Sequence, residues 1–227
     1  MDVLSFYHDA YNSFVNYAIS GIGQTHFGIE FGMDVRLSNN ISAQFVFANG
    51  NHYFNNRQSA IVTADNTATE IERVLIYAKN YQSLSSPQAA YSLGFNYRTN
   101  SSWLMNINAN FFDRQFLGWN PIRRTAEAIY PIDPNSEKGK QLLQIEKLPA
   151  TFLLNYFLSH TFSIGKKKNQ QWVWSISINN LLNRNGIILS GFEQLRFDFD
   201  NRDPNKFPPK YLHGMGFNFL LSTSYRF

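Results

Sequence analysis

Cysteine is absent from the 227 residues, which excludes a disulfide framework and a thiolate metal site. No apolar run reaches the length of a membrane-spanning helix, so helical crossing is excluded too. Charge is sparse: 16% of residues carry it and the net balance is only +4. No basic stripe runs along one face, so a nucleic-acid partner is not expected. The histidines show no H-x-x-x-H grouping, and neither G-x-S-x-G nor a Gly-rich phosphate loop occurs. No enzyme activity and no cofactor are expected. Met1–His8 has no basic start, apolar stretch or small-residue cleavage site, so it does not read as a secretory signal.

What is present is alternation. From Trp103 to Phe111 every second residue is apolar (Trp103, Met105, Ile107, Ala109, Phe111), and Asn106, Asn108 and Asn110 fill the other face. A strand sends successive side chains to opposite sides. The pattern recurs from His26, from Gln88, from Trp172 and through the last residues. A helix would place apolar residues three and four apart, and these segments do not. Runs of about nine to eleven alternating residues match a tilted strand crossing a bilayer. The expected fold class is all-β: an antiparallel transmembrane β-barrel segment with lipid on one face and water on the other. Aromatics, 16% of the chain, suit such a wall.

Three short polar turns stand at 38–40, 99–102 and 165–169, and longer polar segments cover 55–71, 118–149 and 183–209. Short turns at one rim and long loops at the other predict about seven meandering strands: 14–37, 41–54, 73–98, 103–117, 150–164, 171–182 and 211–227. Aromatics gather beside the short turns: Phe95, Tyr97, Trp103, Phe162, Trp172 and Trp174. They are expected to form an interfacial girdle. Within the longest loop, 141–145 is expected to make one or two helical turns. Lys166, Lys167 and Lys168 suit a turn facing phospholipid head groups.

Two acidic groupings invite a chemical reading. Asp198, Asp200 and Asp203 lie close in sequence, but Arg202 stands where a calcium loop wants other residues, so a hydrated loop is expected. Glu30 and Asp34 share a strand face with His26 and Arg36, which reads as a wet wall with cross-strand ion pairs.

Several segments resemble the C-terminal barrel of TonB-dependent receptors of Bacteroidetes-type bacteria. They are Phe14–Tyr17, His26–Gly32, Asn96–Arg98, Asn120–Thr125, Ile178–Asn183 and Gly191–Gln194. The closing strand, with Phe219, Leu221, Thr223, Tyr225 and the terminal Phe227, looks like the assembly signal of outer-membrane barrels. The resemblance implies that residues 1–227 are the last seven strands of a 22-stranded barrel, without the plug domain. It implies a Gram-negative outer-membrane location. Expected partners are outer-membrane lipid, the barrel-assembly machinery and the rest of the barrel and plug, with TonB engaged only through the missing N-terminal part. The intact protein would import a large nutrient such as an iron chelate, cobalamin, glycan or peptide. The fragment alone would not transport.

The long loops are expected to line an outer vestibule, with Arg123, Arg124, Asp198, Asp200 and Asp203 as ligand-contacting candidates. Two other classes remain open: a soluble all-β carbohydrate-binding domain and a small self-contained outer-membrane barrel.

Overall fold

A computed structural model of the chain describes residues 2–8, 13–64, 69–83, 86–165 and 170–227, with little beyond the backbone for 2–8. Antiparallel strands dominate. They are β1 (Asp2–His8), β2 (Ser13–Ser20), β3 (Gln24–Arg36), β4 (Ile41–Phe54), β5 (Gln58–Ala64), β6 (Glu70–Ile76) and β7 (Ala89–Arg98). After these come β8 (Trp103–Asp113), β9 (Thr151–Ile164), β10 (Gln170–Asn179), β11 (Ile188–Phe192), β12 (Lys210–His213) and β13 (Asn218–Arg226). Helix among the described residues is limited to a 3-10 turn (Ile122–Arg124), α1 (Ala126–Ile129) and α2 (Glu137–Leu143). None of these is long and apolar enough to cross a membrane, which says nothing about crossing by strands.

Seven strands form one antiparallel meander in the order β13-β10-β9-β8-β7-β4-β3. The hairpins close through local polar chemistry. Leu37 N donates to Ile41 O (2.9 Å), while Ser38 Oγ accepts from Asn40 N and Ile41 N. At the next turn Thr99 Oγ1 accepts from Trp103 N (3.1 Å), and Ser102 takes a left-handed φ of 65°. Of the third turn, Lys166, Lys167, Lys168 and Asn169 lie outside the described residues. The sheet does not close on itself: β3 and β13 are its open edges.

The expected strand 14–37 is in fact two strands in two sheets. The β3–β4 ribbon pairs up to Gln24 with Phe54, breaks, and resumes as β2–β5 with Ser20 opposite Ser59. Gly21 supplies a positive φ of 67° at the break. Asparagine stitches it: Gly23 N donates to Asn56 Oδ1 (2.9 Å) and Asn56 Nδ2 donates back to Gly21 O. The chain stays extended on both sides, so alternation alone does not register the change of sheet. The expected strand 73–98 divides likewise into β6 and β7, and 211–227 into β12 and β13. The expected loop 55–71 contains β5, whose Ala60 and Val62 are buried.

Strands β1, β2, β5 and β6 make a four-stranded sheet at the long-loop end of the meander. Its inner face, with Val15, Tyr17, Ile19, Ala60, Val62 and Ile76, packs on Ile122, Ala128, Leu142 and Phe197. This cap holds the buried apolar cluster of the molecule. Helix α2 starts earlier than expected, at Glu137, because Ser136 Oγ accepts from Gly139 N (3.1 Å) and caps it.

One close backbone approach fixes the longest ribbon. Gly28 lies directly opposite Gly50, and a Cβ on Gly28 would meet Gly50 Cα at 2.7 Å and Asn49 O at 2.9 Å. Gly28→Val is expected to lower stability by about 1–3 kcal/mol, read as a drop in the thermal unfolding midpoint. An unchanged midpoint would mean that the two strands separate freely there.

Candidate functional site

The meander carries one apolar face across all seven strands. Direct pairing places Met33, Phe45, Leu93, Ala109 and Leu154 in one row, and Phe31, Phe47, Tyr91, Phe111 and Phe152 in the next. Tyr156, Ile178 and Phe219 continue the face to the far edge. Phe27, Ile29, Phe31, Leu93, Ile107, Phe219 and Leu221 on this face remain exposed, Ile29 at 70%. The other face carries amides and hydroxyls that bond across strands. Asn106 Nδ2 donates to Asn96 Oδ1 (2.8 Å) and Asn108 Nδ2 to Ser92 Oγ (3.1 Å). It is not wholly polar: Leu104, Phe112, Phe157 and Leu220 fall on it by register.

The aromatics expected to form a girdle sit on the apolar face near the short turns. Trp103 stacks on His160 at 4.2 Å and meets Trp174 edge-on at 5.6 Å. Phe162 contacts His160 and Trp172 at 4.2 and 5.8 Å. Phe95 and Tyr97 occupy the same face on β7. His160, missed by sequence reasoning, completes this band because cross-strand register delivers it between Trp103 and Trp174. On the closing strand Leu221, Thr223 and Tyr225 face Ile176, Trp174 and Trp172, and Trp172 Nε1 donates to Thr223 Oγ1 (2.6 Å). Phe227 stands free at 97% exposure.

The cap contains a buried ion-pair lock. Arg124 is fully buried, and both its terminal nitrogens donate to the Glu193 carboxylate. Arg123 Nη1 reaches the same carboxylate at 3.1 Å. Asn120 N donates to Glu193 Oε2 (2.7 Å), and Asn120 Nδ2 donates to the carbonyls of Gln194 and Arg196. Arg124 also donates to Asn120 O and Gln144 O. Burial acts to depress the Arg124 pKa, but the bonds to Glu193 outweigh it and leave it raised, so the guanidinium keeps its charge. Two separate segments, 120–125 and 191–194, thus meet in one knot. Backbone bonds between Gly118 and Gly191 (2.8 Å) and between Glu193 and Gly118 (2.6 Å) fasten its base.

This placement removes Arg124 from the expected ligand-contacting set. Both terminal nitrogens of Arg124 are taken by protein partners, and Arg123 is bound to Glu193 and the carbonyls of Gln141 and Leu142. Arg124 is closed off from solvent, whereas Arg123 also lines an open cleft of about 570 Å³ with Gln141, Gln144, Lys147 and Asn205. The aspartates do not converge. Asp198 is buried against Lys206 Nζ (2.8 Å), which holds its carboxyl below the usual range. Asp203 Oδ1 accepts from Asn205 N (2.9 Å), and Asp200 is exposed. Among the described residues no three His, Asp or Glu side chains are arranged to hold a metal. The cross-strand ion pairs expected at Glu30 and Asp34 do not form, because register sets Ala48 and Gln44 opposite them. Arg36 turns instead to the Ser38 carbonyl (3.2 Å).

Two outcomes test the cap. Arg124→Met leaves the Glu193 charge under-compensated and is expected to cost about 3–5 kcal/mol, while Arg124→Met with Glu193→Leu recovers most of it. Urea unfolding measures both, and an unshifted single variant removes the pair from the account of cap stability. Glu127 has a raised pKa, first from partial desolvation and then from the Glu72 carboxylate. A raised carboxyl pKa means the folded state binds the extra proton, so stability falls as pH rises through that window. Glu127→Gln should therefore raise the melting temperature at pH 8 and lose that advantage near pH 4. A variant no more stable at pH 8 overturns the assignment.

Comparison with protein-family models, with curated proteins and with solved structures finds no match for this chain.

Proposed function

We propose that this chain is wall and outer cap of an outer-membrane receptor barrel of the TonB-dependent type, which imports a large nutrient. The observation that carries the reading is the apolar face that runs across all seven strands of the meander, interrupted towards the cap, where Asn49, Asn51 and Asp113 fall on it. Much of it is bare (Phe27, Ile29, Phe31, Leu93, Phe219 and Leu221 are exposed), whereas monomeric soluble proteins rarely leave so broad an apolar patch uncovered. Strands of 9 to 14 residues are long enough to cross a bilayer when tilted. The aromatic band at the short-turn rim suits a membrane interface, and the amide-rich opposite face suits a wet lumen. Unpaired edges cannot stand in lipid, so β3 and β13 pair with further strands of the same barrel. In this reading the cap stands on the extracellular side, and import chemistry belongs to a plug and energy-coupling partner rather than to a catalytic group of this chain.

The test uses a matched pair on one strand. With the intact barrel that holds this chain folded into lipid vesicles, Ile107→Arg on the apolar face is expected to cost about 2–4 kcal/mol, and Asn108→Arg on the other face about 1 or less. Denaturant titration followed by tryptophan emission reads both. Equal costs for the two positions, or folding of the native chain in buffer without lipid or detergent, would sink the membrane placement.

A further inference from the structure

The cap contains an open cleft of about 730 Å³ between the end of the small sheet and the arm that follows α1. Tyr77, Tyr81, Ile129, Tyr130 and Pro134 line it, with Arg57 at its edge. This size lies within the range of small-molecule sites, which are mainly apolar with a few placed polar groups. The walls are fixed by bonds made elsewhere. Tyr81 Oη donates to Leu143 O, Tyr77 N donates to Arg124 O (2.8 Å), and the Arg124 guanidinium lies behind Tyr81, 5.5 Å from its ring centre. The lock described above thus holds the back of the cleft, while Tyr130 stands 76% exposed at its mouth.

Arg57 differs from its neighbours. Arg73 is taken by Glu70, and Arg123 and Arg124 by Glu193. Arg57 lies over the Tyr77 ring, 4.9 Å from its centre, and among the described residues no carboxylate or carbonyl accepts from it. A planar guanidinium held by a ring keeps its N–H fork available for a planar oxyanion. The other charge lining the cleft, Asp133, accepts from Asn135 N in its own turn (2.9 Å) and repels an anion from that end, which orients it towards Arg57.

We propose that this cleft binds a small carboxylate with an aromatic body, its ring among the tyrosines and its carboxylate on Arg57. The cleft lies wholly in the cap, so the proposal stands whether or not the meander faces lipid. It is tested on the full chain in detergent micelles by fluorine NMR titration with 4-fluorobenzoate, using 4-fluorobenzamide as the isosteric neutral control. The carboxylate is expected to bind roughly tenfold or more tightly than the amide, since bonds to a charged group are the stronger kind. Arg57→Gln should abolish that preference, and Arg57→Lys should keep part of it. Tyr130→Ser should weaken both probes while keeping their ratio, and Asp133→Asn should not weaken the carboxylate. Arg57 and Tyr130 are exposed, so these changes leave the core intact. No saturable binding to the native chain, equal binding of carboxylate and amide, or a preference that survives in Arg57→Gln each overturns the proposal.

Discussion

Everything in the meander depends on cross-strand register. Side-chain direction in a strand has a period of two, so a slip by one residue exchanges the faces. Seven strands keep phase here: the row through Met33, Phe45, Leu93, Ala109 and Leu154 never crosses to the amide side. The short turns enforce this phase. Ser38 and Thr99 fix the ends of their hairpins with side-chain acceptors, and the ladder transmits that alignment along more than ten residues of β4 and β8. Asn106 to Asn96 and Trp103 to His160 are then consequences on opposite sides of the same alignment.

The cap obeys different rules. It is stabilised by an ordinary water-excluding cluster and by a charged knot at Arg124, Arg123 and Glu193. A buried pair of this kind does little for net stability compared with apolar residues of the same shape, but losing one partner is costly. Its use is geometric. It brings the segment after β8 against the segment after β11 at one orientation, and Asn120 bonds to both sides of the joint.

How far the sequence could be read follows from this division. The seven strands were legible because alternation is local and long: β3, β7, β8, β10 and β13 each declare their apolar side in eight or more residues. The break at Gly21–Gly23 was not legible, because the chain is extended on both sides of it and the bonds to Asn56 that mark the change of sheet come from a distant segment. Strand β5 was missed because Gln58–Ala64 is short and sits in a polar surrounding, although Ala60 and Val62 reach the core. Arg123 and Arg124 read as ligand-contacting candidates of a long loop, since their counter-ion lies 69 residues from Arg124. The resemblance marked Asn120–Thr125 and Gly191–Gln194 separately. That they meet is a fact of the fold, and it gives Arg124 a structural role while Arg123 still lines the neighbouring cleft.

The cap cluster joins Val15, Ala60, Ile76, Ile122, Leu142 and Phe197, residues drawn from almost the whole length of the polypeptide. Closing such distant loops costs chain entropy before any contact repays it. Until the segment around Phe197 docks, Tyr17 and Val62 on the small sheet therefore stay uncovered. The small sheet thus completes its core last, whatever the order in which its own hairpins form.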